Sequence, residues 1–149
     1  MTFKQKTHQY YQQLVQDRED AFRDMITALT EDSKNDAKGS AGDKHETALS
    51  MMHIEQEKLN RKLREVLDQK IVLDKIDAST TAETIIVGSL VKANGIFLYL
   101  SVEQPKITID GINVIALSPQ SPLGNKLMGN KVGFTFEING TKYLIEEIN

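Results

Sequence analysis

The fold is decided by residues 43–77, which read DKHETALSMMHIEQEKLNRKLREVLDQKIVLDKID. This stretch contains neither glycine nor proline, so no residue in it is expected to interrupt a helix. Apolar residues recur every three or four positions, or after a full heptad, at Met52, Leu59, Leu63, Val66 and Leu73. The spacing predicts one long helix whose narrow apolar stripe is flanked by charge, which is typical of a coiled-coil seam.

A second helix of the same kind is predicted before this one. Its stripe contains Tyr11, Val15, Arg18, Phe22, Met25 and Leu29, and it is widened by Leu14 and Ile26. Residues 31–42, which separate the two helices, are polar and rich in turn-forming residues. Two similar seams joined by a short break predict an antiparallel helical hairpin. A dimerising pair of helices fits the same pattern equally well.

The composition of the chain changes sharply near Asp77. Residues 1–77 contain 13 Lys and Arg and 15 Asp and Glu, whereas residues 78–149 contain only 5 and 6, together with all three prolines. Short β-branched runs predict strands at 85–87, 95–100, 107–109 and 114–117, and a final hairpin turns at Asn139-Gly140. Residues 121–129 predict a short helix. The predicted class is therefore α+β, with a coiled-coil hairpin in 1–77 and a small antiparallel β domain in 78–149.

Several kinds of chemistry are excluded by composition and spacing. The net charge of −3 argues against a general duplex-binding protein, and the absence of cysteine rules out a thiolate zinc site. His45-Glu46 begins like a zinc-protease helix, but Leu49 stands where the second histidine is required. No long apolar run or leader is seen, so we expect a soluble, cytoplasmic protein with no membrane partner. No nucleophilic triad can be assembled from the sequence, so we also expect that the chain is not an enzyme on its own.

The start of the second helix carries two carboxylates that we call the acidic turn, residues 43–46. Asp43 and Glu46 are three positions apart, so they lie on neighbouring faces of one helical turn. They can cap the helix, with Asp43 as N-cap and Glu46 as the N3 residue of a capping box. They can also offer oxygen ligands to a divalent ion. The two roles are compatible.

Two motifs resemble those of the Gre-type transcript cleavage factors. Residues 42–48, GDKHETA, resemble the GDxxENA turn of that family, and residues 121–133, SPLGNKLMGNKVG, resemble its SPLGxxLxGKxVG stretch. The ending at residues 143–148, YLIEEI, is also similar to the end of the family's last strand. The resemblance extends over essentially the whole chain, with the motifs in the family's order and spacing.

The resemblance implies a coiled coil, an FKBP-like domain and a defined partner. That domain, through Ser121, Pro122, Leu123 and Gly124, would dock on RNA polymerase at the rim of the secondary channel. Asp43 would be the primary ligand of a second Mg²⁺ ion shared with the polymerase, and Glu46 would orient the ion or the attacking water. The polymerase would then cleave backtracked RNA near its 3′ end. The chain would be a monomer or a homodimer and would need no cofactor of its own.

The chain also departs from the family pattern, which keeps other functions open. Thr47 stands in place of the family's asparagine, Leu49-Ser50 in place of Glu-Tyr, and Phe134 in place of an aspartate. A non-cleaving regulator of the same channel, or a dimerisation module unrelated to polymerase, are the alternatives. Lys38 and Lys44 could contact RNA, although the acidic residues interleaved among the lysines favour a solvated helix face.

Overall fold

A computed structural model describes the backbone of residues 1–39 and 43–149, and the side chains in these ranges except those of Ser33, 35–39 and 43–45. It contains two long helices, six strands and one short helix, so the predicted α+β class is confirmed. In chain order these are α1 (Phe3–Gly39), α2 (Asp43–Asp74), β1 (Leu90–Ala93), β2 (Ile96–Leu100), β3 (Gln104–Ile109), β4 (Ile112–Leu117), α3 (Pro122–Leu127), β5 (Thr135–Ile138) and β6 (Thr141–Ile148).

The chain divides into two compact units. One consists of Met1–Gln12 and Ile71–Asn149, and we call it the sheet unit; the other is Gln13–Lys70, which we call the hairpin unit. The division does not coincide with the change in composition near Asp77, because the first residues of α1 and the last of α2 belong to the sheet unit. Within the described residues, no helix is long and apolar enough to cross a membrane.

The hairpin unit is held together by the apolar seam that the sequence predicts. Val15, Leu59 and Val66 are buried within the single chain. Lys70 Nζ lies 3.2 Å from Glu19 Oε1, and Gln56 Nε2 donates to Thr30 Oγ1 at 3.4 Å, so the helices run antiparallel. Glu19 also accepts from Arg23 at 2.9 Å, and the two hydrogen bonds lower the pKa of its carboxyl.

Met25, which the apolar pattern places in the seam, does not lie there. Met25 is 50% exposed, whereas Ile26 is half-buried. At 100° per residue, Ile26 lies 40° from Phe22 around the helix axis and Met25 lies 60° away on the other side. Met25 is therefore at the margin of the stripe and Ile26 lies closer to its centre.

The sheet unit contains a mixed sheet with the strand order β3-β4-β2-β1-β6-β5. All neighbouring strands are antiparallel except β2 and β4, which are parallel with Phe97 opposite Val114. The expectation of a purely antiparallel domain is therefore corrected. A parallel pair needs a crossover, and the chain makes it through β3, which pairs with the outer side of β4.

Both faces of this sheet are covered. On one face, Val91, Leu98, Leu100 and Ile145 pack with Leu127 of α3 and with Ile85 in a common core. On the other face, the first turns of α1 lie against β2. There the rings of Phe3 and Phe97 are 5.4 Å apart, and those of Tyr11 and Tyr99 are stacked at 6.1 Å.

The strand predicted at 85–87 is not present, and β1 begins at Leu90 instead. Gly88 has a positive φ of 99°, and Ile86 N donates to Ser89 Oγ at 3.0 Å, so the chain turns here. Ile85 exchanges backbone hydrogen bonds with Gly129 and Asn130 after α3 and is fully buried. Its apolar character therefore reflects a core position in a loop and not a strand.

Candidate functional site

The acidic turn is described only in part. Asp43 is the first residue of α2, but its side chain lies outside the described residues, as do those of Lys38 and Lys44. Glu46 is described, and its side chain is exposed in the first turn of α2. The shared Mg²⁺ site and the possible RNA contacts therefore stay predictions, with one carboxylate open to solvent at the expected position.

The second candidate is the start of α3, where Ser121 caps the helix as predicted. Ser121 has extended backbone angles, φ −64° and ψ 156°, and its Oγ accepts from Gly124 N at 3.1 Å. The same hydroxyl donates to Ser118 O at 2.7 Å. Pro122 occupies the first helical position, where its missing N–H costs no hydrogen bond.

Gly124 is required by close packing in this cap. A Cβ added to Gly124 would lie 2.0 Å from the backbone oxygen of Ser118 and 2.8 Å from Ser121 Oγ. Real Cβ atoms do not approach backbone oxygen so closely, so the loop before α3 would have to move. Gly124 is buried, and its role here is to let α3 pack against that loop.

Three of the four residues predicted to bind a partner line one groove. Ser121, Pro122 and Leu123 line a groove of about 660 Å³ on the sheet unit, whereas Gly124 is buried and does not line it. The groove is also lined by Ile115 and Leu117 of β4 and by Ile138 and Tyr143 of the last hairpin. We call this the α3 groove. Its lining is mainly apolar and includes several polar side chains, which is the usual character of a recognition surface.

A buried polar cluster on the other face of the sheet was not foreseen from the sequence. His8 Nδ1 and Tyr99 Oη are hydrogen-bonded at 2.7 Å, and Tyr11 Oη donates to Pro105 O at 3.3 Å. Burial raises the pKa of Tyr11 to about 12 and also raises that of Tyr99. Both phenols therefore stay neutral, and the cluster serves packing. Tyr99 lies on the face of β2 that packs against α1. The sequence alone does not show which face of this strand meets the helix.

Burial lowers the pKa of the His8 imidazole, whereas it raises the pKa of the two phenols. The negative charge of Asp74 partly opposes the shift at His8, and the positive charge of Lys4 adds to it. The folded protein therefore binds a proton at His8 less readily than the unfolded chain does.

Replacing Gly124 with alanine should destabilise the sheet unit because the added Cβ meets backbone. We expect Gly124→Ala to lower the free energy of unfolding by about 1–3 kcal/mol, measured by urea denaturation. Asn125→Ala, at an exposed position of the same helix, is the control and should change it by less than about 0.5 kcal/mol. Equal values for the two variants would contradict the packing role of Gly124.

Acid should weaken the fold through His8. Its stabilising contribution is complete above pH 6.5, the ordinary pKa of histidine, and is lost as the pH falls toward the lowered pKa. Because a single proton is involved, the free energy of unfolding can change through His8 by at most about 1.4 kcal/mol per pH unit. Urea denaturation at pH 7.5 and 5.5 should show a smaller loss of stability for His8→Gln than for the parent chain. His53→Gln, at an exposed histidine, should behave like the parent, and an unchanged loss in His8→Gln would refute the assignment.

No model of a known protein family matches this chain, and no curated protein matches it.

Proposed function

We propose that this chain is a Gre-type elongation factor that binds RNA polymerase and promotes cleavage of backtracked RNA. The observation that carries the proposal is the hairpin unit with an exposed carboxylate, Glu46, in the first turn of its second helix. From Gln13 to Gly39, α1 extends about 40 Å at 1.5 Å per residue. A hairpin of this length places its connecting end far from its other end, which suits insertion into a narrow channel.

The chemistry that the proposal assigns to this chain is limited. Asp43 and Glu46 would supply oxygen ligands to a Mg²⁺ ion that the polymerase also holds, and such an ion activates water and stabilises the leaving oxygen. The carboxylates would hold and orient the ion and its water, while the polymerase supplies the other ligands and the RNA. The α3 groove, with Pro122 and Leu123 on its rim, would be the docking surface on the polymerase.

A non-cleaving regulator of the same channel is the second candidate. Leu49 favours it, because this residue is half-buried and apolar where the Gre family carries glutamate. A dimerisation module is less well supported, since Val15, Leu59 and Val66 of the seam are already buried within one chain.

Removing either carboxylate of the acidic turn should slow RNA cleavage. In stalled elongation complexes of the cognate polymerase, we expect Asp43→Ala and Glu46→Ala to reduce the rate of release of short 3′ fragments by about 10- to 100-fold. Glu55→Ala, at an exposed carboxylate further along α2, is the matched control and should cleave like the parent. If the parent releases no fragments but still binds the complexes, the regulator is supported and the cleavage role fails.

Docking should depend on the α3 groove. Pro122→Glu places a charge on the apolar rim, and glutamate is well tolerated in the first turn of a helix. We expect it to weaken binding to core polymerase by at least about tenfold, or ~1.4 kcal/mol, in a fluorescence titration. Asn125→Glu introduces the same charge on α3 outside the groove and should bind like the parent. Equal weakening by both variants would show that net charge, not the groove, determines binding.

A further inference from the structure

Lys4 is a lysine buried in the sheet unit, with only 7% of the residue exposed. Its Nζ donates to Thr80 O at 2.6 Å, although an ammonium group has three donors. Among the described residues, no carboxylate oxygen lies within 4.0 Å of this nitrogen. A buried ammonium without a carboxylate partner loses hydration that one carbonyl does not replace.

A cavity of about 350 Å³ adjoins this lysine, and we call it the Lys4 cavity. Its apolar wall is formed by Phe3, Leu90, Phe97 and Ile112. The rings of Phe3 and Phe97 are inclined at 59° to each other. The volume is at the small end of the range for ligand pockets and suits a single ring with a short chain.

Among the charged groups around the Lys4 cavity, the Lys4 ammonium is the one that lacks a close carboxylate partner among the described residues. Glu147 also lines the cavity, but it is paired across the sheet with Lys92 of β1. Lys92 Nζ lies 5.8 Å from the centroid of the Phe97 ring, at the same wall. Glu147 therefore has a cationic neighbour on its own face of the sheet. Among the described residues, the opposing charge that acts on Lys4 is that of the exposed Asp77, which lies outside ion-pair distance.

We propose that the Lys4 cavity binds a small monocarboxylate with an aromatic or short aliphatic body. Its carboxylate accepts hydrogen bonds from Lys4 Nζ, and its body packs against Phe3 and Phe97. A dianion such as phosphate is disfavoured, because the wall is apolar and Glu147 lies nearby. A neutral molecule of the same shape gains the apolar contacts but gives Lys4 Nζ no carboxylate within hydrogen-bond distance.

The test is an NMR titration of the full, isotopically labelled chain with 3-phenylpropionate. We expect saturable shifts at residues lining the Lys4 cavity with a Kd of about 1 mM or tighter. The neutral 3-phenylpropanamide and inorganic phosphate should each bind at least about tenfold more weakly. Bound carboxylate should also raise the pKa of Lys4, observed at its Cε, since a nearby negative charge favours the ammonium form.

Two variants separate the role of Lys4 from a general effect of positive charge. Lys4→Met removes the ammonium and keeps a chain of similar length, and it should weaken 3-phenylpropionate binding at least tenfold. Lys6→Met removes an exposed lysine that pairs with Asp110 at 2.9 Å, and its affinity should stay within about twofold of the parent. The absence of saturable shifts, equal binding of the amide or phosphate, or an unchanged Kd in Lys4→Met would each overturn the proposal. The ligand comparison and the Cε titration use the parent chain, so they decide the matter even if Lys4→Met does not fold.

Discussion

The packing of α1 against Tyr99 is the interaction on which the sheet unit depends. Tyr99 lies in β2 near the middle of the sheet, is fully buried, stacks on Tyr11 and is hydrogen-bonded to His8. Because α3 and the loop residue Ile85 pack on the other face, this contact is what removes the α1-facing side of the sheet from water. A buried phenol and a buried imidazole also need hydrogen-bond partners, and here each satisfies the other. The first twelve residues of the chain are therefore part of the sheet unit although they are helical.

The hairpin unit follows a different constraint, since it has a seam but no large core. Its two helices are joined along Val15, Leu59 and Val66, and one buried carboxylate, Glu19, ties them through Lys70. Such a narrow seam leaves most of each helix surface in solvent, so polar and charged residues can vary there without loss of packing. A carboxylate such as Glu46 can then be exposed in the first turn of α2 at little cost to the fold.

Regular spacing made the helices and the final hairpin predictable. Contacts between residues that are distant in the sequence could not be predicted in this way. The seam and the cap at Ser121 are local patterns, and apart from Met25 both are found where the sequence places them. The sequence predicts a strand at Ile85 because local apolarity does not distinguish a strand from a core residue in a loop. The parallel pairing of β2 with β4 depends on how β3 folds back, which no local pattern encodes. The partners of His8 and Lys4 are more than 70 positions away along the chain. For the candidate site, the sequence predicts the cap at the start of α3 in detail, whereas for the acidic turn it leaves helix capping and metal binding both open.

The proposed function requires the acidic turn to reach the catalytic metal of RNA polymerase. It is tested most directly by replacing that Mg²⁺ with Fe²⁺ in stalled complexes and mapping where locally generated hydroxyl radicals cut this chain. We expect cuts confined to the neighbourhood of residues 43–46, dependent on the polymerase and suppressed by excess Mg²⁺. Binding without cuts there, or cuts centred on another part of the chain, would contradict it.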